Sequence, residues 1–333
     1  VQRGWRVTLA GLKEHIASDS YRGVELRRAP SSKILKTDKL LYYFSAVTMV
    51  RKLKPDVVHM QGLGSAIMLW AYKLLGARTV VRYGLADYVL PKWGLLGRWG
   101  FKIAEYQLRW ADAIIAVTPA LADRLRSRGI TRNIHVIGNA LDLPEAYAAD
   151  PGVRLPDAPY VLAVGRVTVQ KNLHRLIEGF KLFAERHPGT QLVIAGGLDD
   201  EAYVAELQPL LDDRIKLIGR LPRSTLGPLY ANAGVYVNSS IHEGASNAVL
   251  EAISWGAPIL LSDIPENRDF GLRDNQYFPP DEPPAIAAAL ERAWRDRGSY
   301  VANRASFMTW DMVADRTTAI YEGFGLAPAR QAA

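Results

Sequence analysis

The sequence predicts an α/β fold built from two parallel-sheet units, and three observations carry that prediction. Short apolar runs of four to six residues alternate with helix-period segments along most of the chain. The alternation stops in a Pro-, Asp- and Ala-rich stretch, Leu143–Ala158, and then restarts. A length of 333 residues is long for one core and comfortable for two. Near-continuous apolar strands separated by helices belong to sheets covered on both faces. Ligands of such sheets bind beyond the carboxyl ends of the strands, so the loops there are where chemistry is expected.

Taken in order, Trp5–Ala10 and Val24–Arg28 read as strands, and a basic helix runs from about Leu35 to Lys54, closed by Pro55. Strand Asp56–Met60, turn Gln61–Gly64, helix Ser65–Leu75 and strand Arg78–Tyr83 follow. Helix Gly97–Trp110, strand Asp112–Val117, helix Pro119–Arg128 and strand Ile134–Ile137 complete the first half. The second half reads as strand Tyr160–Val164, helix Asn172–Arg186, strand Gln191–Ala195, helix Glu201–Leu210, strand Ile215–Ile218 and helix Ser224–Ala231. Next come strand Gly234–Asn238, a polar loop, a short helix and strand Pro258–Ser262, and then helices over Pro284–Arg297 and Trp310–Phe324. Ser246 or Asn247 suits the start of the short helix, and Gly256 the left-handed position past its end.

There are no cysteines, which excludes disulfides and thiolate metal sites. The apolar stretch Leu40–Val50 falls far short of the roughly 20 residues of a membrane span. Charge is uneven. Residues 1–150 hold 23 Lys+Arg against 12 Asp+Glu, whereas residues 151–333 hold 18 against 22. A basic first half points to an anionic partner: phosphorylated substrate, anionic lipid or nucleic acid. Without a zinc finger, an RNA-recognition signature or a basic tail, nucleic acid is the weakest of these and is not expected as a partner.

The chemistry-bearing residues concentrate in the second half. Gly165-Arg166 closes a strand, and Lys171-Asn172 opens the helix after it. Fixed cations there suit the charge that develops on a departing diphosphate, although such a pair alone is commonly a solvated one. Glu243 lies on the loop before the short helix, and Glu251 one turn into it. Each is ordinary by itself, and a carboxylate pair also suggests a glycosidase. Their position beside a helix N-terminus, whose amides and dipole attract anions, suits instead a ligand with both hydroxyls and phosphate. Gln61-Gly62-Leu63-Gly64 supplies two glycines of a dinucleotide fingerprint, but Ile67 stands where the third belongs. His59 at a strand end reads as packing at the sheet rim.

Gly165-Arg166 with Lys171-Asn172, then Glu243-Gly244, Glu251-Ala252 and Gly256-Ala257-Pro258, resembles glycosyltransferase family 4, of GT-B architecture. The first half resembles its bacterial rhamnosyltransferase-like subgroup through His59–Gly64, Lys92-Trp93-Gly94, Glu105, Ala111–Thr118 and Asn139. The resemblance implies two Rossmann-like domains facing a cleft: an acceptor-side domain over 1–147, a donor domain over 148–305, and a helix over 306–333 crossing back to the first. It implies that Arg166 and Lys171 hold a donor diphosphate, Glu251 the ribose and Glu243 the transferred sugar. Gly244, Ala245, Ser246, Asn247 and Ala248 would cover phosphate oxygens, and the base would lie near Gly196, Gly197, Gly219 and Arg220. Glu243, Arg166 and Lys171 are the catalytic candidates. Gln61, Gly62, Tyr83, Gly84, Asp87 and Asn139 are the acceptor-side candidates. The implied reaction is retaining transfer from a nucleotide sugar to a polysaccharide or lipid-linked acceptor of the cell envelope. It needs neither metal nor cofactor, and the sequence carries no Asp-x-Asp.

Two departures stand out. The family's chain begins with a strand, a glycine-rich loop and a helix, and Gln2–Val7 aligns after them, so the first domain is expected to lack that start. The family often has His-Gly where this chain has Tyr83-Gly84, which replaces a titratable group by a neutral donor. An epimerase of similar architecture and an inactive nucleotide-binding partner subunit are the rival readings. The aromatic and basic stretch Trp93–Lys102, with the basic helix before it, suggests peripheral contact with an anionic membrane from the cytoplasm.

Overall fold

The structure is a computed structural model that describes residues 1–30, 39–85, 94–142 and 156–328. Asp87, Lys33, Lys36 and Lys92-Trp93 therefore lie outside the described residues. The chain divides into two units, one of residues 1–117, 121–137 and 314–333, the other of 118–120 and 138–313.

The first unit holds two separate sheets. β1 (Thr8–Leu12), β2 (Ser20–Tyr21) and β3 (Val24–Ala29) form a three-stranded sheet in the order β1-β3-β2, with β1 parallel and β2 antiparallel to β3. After α1 (Lys39–Leu53), β4 (Val57–Gln61) starts a four-stranded parallel sheet. α2 (Leu69–Leu74), β5 (Arg78–Tyr83), α3 (Leu95–Gln107), β6 (Ala113–Ala116), α4 (Pro119–Ser127) and β7 (Ile134–Val136) continue it in the order β4-β5-β6-β7. Asp112 ties this sheet down, accepting from the Thr79 amide at 2.8 Å and from Lys73 Nζ at 2.8 Å. Two expectations shift. β1 begins three residues later than Trp5, because the Gly4 amide closes a turn onto the Val1 carbonyl. The expected helix Ser65–Leu75 opens instead as a 3-10 turn over Leu63–Met68. Gly62, at φ 106°, sends the chain into it, and the Ser65 hydroxyl closes back on the Gly62 carbonyl at 2.8 Å.

The second unit is one fully parallel six-stranded sheet. Its elements are β8 (Tyr160–Val164), α5 (Leu173–Ala184), β9 (Gln191–Ala195), α6 (Glu201–Leu207), β10 (Ile215–Gly219), α7 (Arg223–Asn232) and β11 (Val235–Asn238). They continue with α8 (Asn247–Ser254), β12 (Ile259–Ser262), α9 (Pro265–Arg268), β13 (Tyr277–Phe278) and α10 (Pro283–Arg295), whereas most of α11 (Trp310–Glu322) belongs to the first unit. The strand order is β10-β9-β8-β11-β12-β13. Phe180, Phe183, Ile286 and Leu290 of α5 and α10 are buried on one face, and Tyr160, Tyr230, Val249 and Ile253 on the other. Each large apolar side chain so buried stabilises the unit by about 1.5–3 kcal/mol. Two-residue β13 and four-residue α9 were not expected from the sequence, since neither is long enough to show a period.

The strand order reverses between β8 and β11. Chains leaving neighbouring strands there diverge to opposite faces and open a crevice at their carboxyl ends. That reversal brings the loop after β8 beside the loop after β11.

Candidate functional site

Past β8 the chain makes a 3-10 turn over Val169–Lys171, and Asn172, in the left-handed region at φ 54°, turns it into α5. The expected helix thus starts one residue later, at Leu173. Past β11 the loop is stitched to this turn: the Ile241 amide donates to the Gln170 carbonyl at 3.0 Å, and the Ser239 hydroxyl to the Lys171 carbonyl at 2.7 Å. A shallow cavity between the two loops is lined by Gly165, Lys171, Asn238, Ser239 and Ser240 among others.

Lys171 and Glu243 meet there. Lys171 Nζ donates to Glu243 Oε1. The same oxygen accepts from Ser240 Oγ at 2.7 Å and from Asn238 Nδ2 at 3.2 Å. Glu243 is buried, and burial pushes its carboxyl up. The Lys171 charge and the three hydrogen bonds outweigh that and hold it below the ordinary carboxylate range. Arg166 stands exposed at the start of the loop after β8. Behind Ser240, Ser262 Oγ donates to the Ser240 carbonyl at 2.5 Å, and Asn267 Nδ2 donates to Ser262 Oγ at 2.9 Å.

α8 begins at Asn247 with Ser246 as its first flanking residue, but Ser246 makes no side-chain cap. Its hydroxyl instead accepts from Asn238 Nδ2 at 3.4 Å. The sequence expectation of a capping side chain is corrected on this point, and the first-turn amides are left without a side-chain cap. The other end matches the reading of Gly256. Its amide donates to the Ile253 carbonyl and that of Ala257 to the Ala252 carbonyl, with Gly256 at φ 71°.

Glu251 lies one turn into α8. Its Oε2 accepts from the Tyr230 hydroxyl at 3.1 Å, and Arg223 Nη2 lies 3.8 Å from its Oε1. Burial pushes this carboxyl above its ordinary value, although the Tyr230 hydrogen bond and the Arg223 charge pull it back. Gly196 and Gly197 follow β9, Gly219 ends β10 and Arg220 follows it, so all four lie at carboxyl ends of strands of the same sheet. Arg220 pairs with Asp199 at 3.4 Å.

The acceptor-side candidates scatter. Gln61 is exposed at the end of β4, with Gly62 next to it and Gly84 just beyond β5. Tyr83 is fully buried, and its hydroxyl donates to Glu105 Oε1 at 2.6 Å inside the first unit. It is thus held in the core and is not presented to a ligand. Asn139, expected on the acceptor side, sits in the second unit. Its Nδ2 donates to the Ala245 carbonyl at 3.1 Å and to Asn247 Oδ1 at 2.7 Å. Asn139 is thus set against the loop of Gly244–Asn247, a placement that sequence distance hides. His59 hydrogen-bonds through Nδ1 to the Tyr321 hydroxyl at 2.6 Å, and burial and Arg82 push it down to about 4. It is a neutral packing residue near pH 7. Sequence reasoning missed Asn238, Ser240, Ser262, Asn267, Arg223 and Tyr230, whose residue types carry no signal until the sheet brings them together.

Comparison with known proteins places the family. Residues 1–145 match glycosyltransferase family 4, and residues 158–296 match glycosyl transferases group 1. The chain is 28% identical over 278 residues to the lipopolysaccharide core biosynthesis glycosyltransferase LpsE of Rhizobium meliloti, covering 82% of this chain and 71% of that one. It is 31% identical over 177 residues to a glycosyltransferase of Methanocaldococcus jannaschii, covering 50% of this chain and less than half, 45%, of that relative's length. Its fold matches sucrose-phosphate synthase of Thermosynechococcus elongatus at a TM-score of 0.77 and 19% identity, over 96% of this chain and 89% of that one. With two Rossmann-like units, matched in turn by the two family patterns, the chain is a GT-B glycosyltransferase and belongs to family 4, the group 1 glycosyltransferases.

Proposed function

We propose that the chain transfers a sugar, with retention at the anomeric carbon, from a nucleotide-diphosphate donor to a polysaccharide or lipid-linked acceptor in cell-envelope glycan synthesis. The observation that carries this is the meeting of Lys171, Glu243 and the uncapped start of α8 where the strand order reverses. In this reading the donor diphosphate replaces Glu243 as the partner of Lys171 and is shared with Arg166 and the first-turn amides of α8. When the bond from the anomeric carbon to the diphosphate oxygen breaks, its electron pair stays on the diphosphate, where these groups offset the charge. The incoming hydroxyl passes its proton to that phosphate and closes the new bond on the same face. Ser240 and Asn238 still hold Glu243 Oε1, which leaves Oε2 for sugar hydroxyls. Glu251 takes the ribose, and the acceptor falls to the first unit. The part played by the lipopolysaccharide-core relative supports an envelope acceptor.

Two substitutions separate the donor roles. Glu251→Ala is expected to weaken binding of UDP or GDP, measured by calorimetry, by roughly tenfold, about 1.4 kcal/mol. Glu243→Ala is expected to leave that binding within a few-fold and to lower transfer by about a hundredfold. Equal, negligible effects of both would refute the assignment. Donor turnover that does not depend on any acceptor would favour the epimerase reading, and nucleotide binding with no turnover the inactive subunit.

The proposed location is the cytoplasmic face of a membrane, in peripheral contact. Among the described residues no helix is long and apolar enough to cross one. Leu95, Trp99, Ile103, Tyr106 and Trp110 recur along α3 and the turn after it at a spacing of three or four, and every one is about half exposed or more. Exposed Arg98, Lys102 and Arg109 flank them, and between Tyr88 and Trp110 the only acid is Glu105, which is buried. Aromatic side chains beside cations suit an anionic lipid interface. The chain is expected to sediment with vesicles containing anionic lipid at low salt, and Trp99→Glu with Trp110→Glu to cut the bound fraction roughly tenfold. Absence of binding, or equal binding to neutral vesicles, would remove the membrane from the proposal.

A further inference from the structure

One polar cluster of the second unit extends beyond the donor groups already assigned. Asp142, Arg223, Leu226, Gly227, Tyr230, Glu251 and Trp255 surround a small cavity between α7 and α8. The cluster is ordered from the outside inward. Trp310 Nε1 donates to Asp142 Oδ1 at 2.5 Å. Arg223 Nη1 donates to Asp142 Oδ2 at 3.1 Å. Arg223 Nη2 then lies 3.8 Å from Glu251 Oε1, and Tyr230 holds Glu251 Oε2. Nearby, the Leu141 amide donates to the Met308 carbonyl, so the backbone carrying Asp142 is tied to the segment that carries Trp310. Arg223, the first residue of α7, is a long side chain over half exposed, yet it is directed between two carboxylates.

We propose that Arg223 is a positioning residue for Glu251: with Asp142 as its anchor, it keeps the Glu251 carboxylate ionised and aimed at the nucleotide ribose. The inference rests on the donor-site reading above and gives a role to a residue that reading leaves aside. A pair of ribose hydroxyls donates well to a carboxylate and poorly to a carboxylic acid, because only the ionised form offers acceptors on both oxygens. Glu251 needs such help. It sits only 21% exposed on α8 and has Asp142 as a like charge close by; the Tyr230 hydroxyl from α7 supports it through a hydrogen bond, and the phenol of Tyr236 from β11 lies near it. Of the groups acting on it, Arg223 is the cation, and it lies too far from Oε1 for a hydrogen bond. It therefore supports the charge without occupying the lone pairs that the ribose would use.

Burial raises the Glu251 pKa and Arg223 lowers it, so removing Arg223 moves protonation to higher pH. The test is calorimetric titration of the purified chain with UDP and with GDP across about pH 5–8, the range that spans an upward-shifted carboxyl. Four proteins are compared: wild type, Glu251→Gln, Arg223→Met and Arg223→Lys. Arg223→Met is expected to bind within twofold of wild type at about pH 8 and roughly two- to fivefold more weakly at about pH 5.5, the range an exposed ion pair supports. Arg223→Lys, which keeps the charge, is expected to follow the wild-type curve. If neither nucleotide binds, or Glu251→Gln binds like wild type at every pH, the donor-site reading falls and this inference with it. If Glu251→Gln binds weakly but Arg223→Met keeps the wild-type pH profile, only the role of Arg223 is overturned. A loss in Arg223→Met that is equal at all pH values also overturns it, because Arg223 would then touch the nucleotide itself.

Discussion

Lys171→Met is expected to damage both activity and stability, and by different mechanisms. Transfer should fall by about two to three orders of magnitude, the usual effect of removing one fixed charge or donor from a developing anion. Stability should fall by about 3–5 kcal/mol, because Glu243 is left as a buried carboxylate without its cation. The pH dependence separates the two. In the wild type the folded-state pKa of Glu243 is depressed, so its contribution to stability is full above the unfolded carboxyl value of about 4.3 and is lost as pH falls through the lower folded value. In Lys171→Met burial acts on the carboxyl with its main opponent gone, and the sign reverses. The folded form then resists ionisation, the penalty is largest above the raised pKa, and it shrinks on acidification. Chemical denaturation of both proteins at about pH 7.5 and pH 5 should therefore show the gap between them narrowing at the lower pH. A double variant, Lys171→Met with Glu243→Gln, should recover most of the stability and none of the activity. A constant gap, or an active double variant, would show that this pair is neither the buried ion pair nor the catalytic contact described above.

Gly196→Ala is expected to cost about 3 kcal/mol or more and to abolish nucleotide binding together with it. A Cβ on residue 196 would lie 1.8 Å from the Gly165 carbonyl oxygen and 2.5 Å from its carbon. Both are backbone atoms, and they cannot move alone. The Gly165 amide donates to the Ala195 carbonyl, and the Gly196 amide to the Gly219 carbonyl, so relief would have to part the ends of three neighbouring strands. Those ends carry the loops of Arg166, Gly197 and Arg220. Gly189→Ala, where nothing lies within 4 Å of the new methyl, is the matched control and should unfold close to wild type. If Gly196→Ala melts like Gly189→Ala and still binds UDP or GDP, the packed junction of these loops is not as described.

Much of this molecule is legible in one dimension. The alternation of apolar runs and helical segments located nearly every strand of the second unit, because a strand buried on both faces must be apolar at every position. Gly256 was readable because a residue beyond a helix end at positive φ has few alternatives to glycine. Glu243 and Glu251 were readable because they share one short stretch with a helix start. Elements of two to four residues, β13 and α9, were not, since no period fits within them.

What the sequence by itself determined is the class of fold and the bipartite organisation, and it singled out the four charged residues Arg166, Lys171, Glu243 and Glu251 as candidates, since each depends on local pattern and on residue type. What only the tertiary structure decided is which of them act on one another. Lys171 and Glu243 are 72 residues apart in the chain and become partners because the strand order reverses between β8 and β11. Asn139 leaves the acceptor side for the loop before α8, Tyr83 turns into the core against Glu105, and Arg223 comes to stand between Asp142 and Glu251. Side-chain polarity says that a group needs a partner, but the partner is set by long-range sheet topology, which local propensity does not encode.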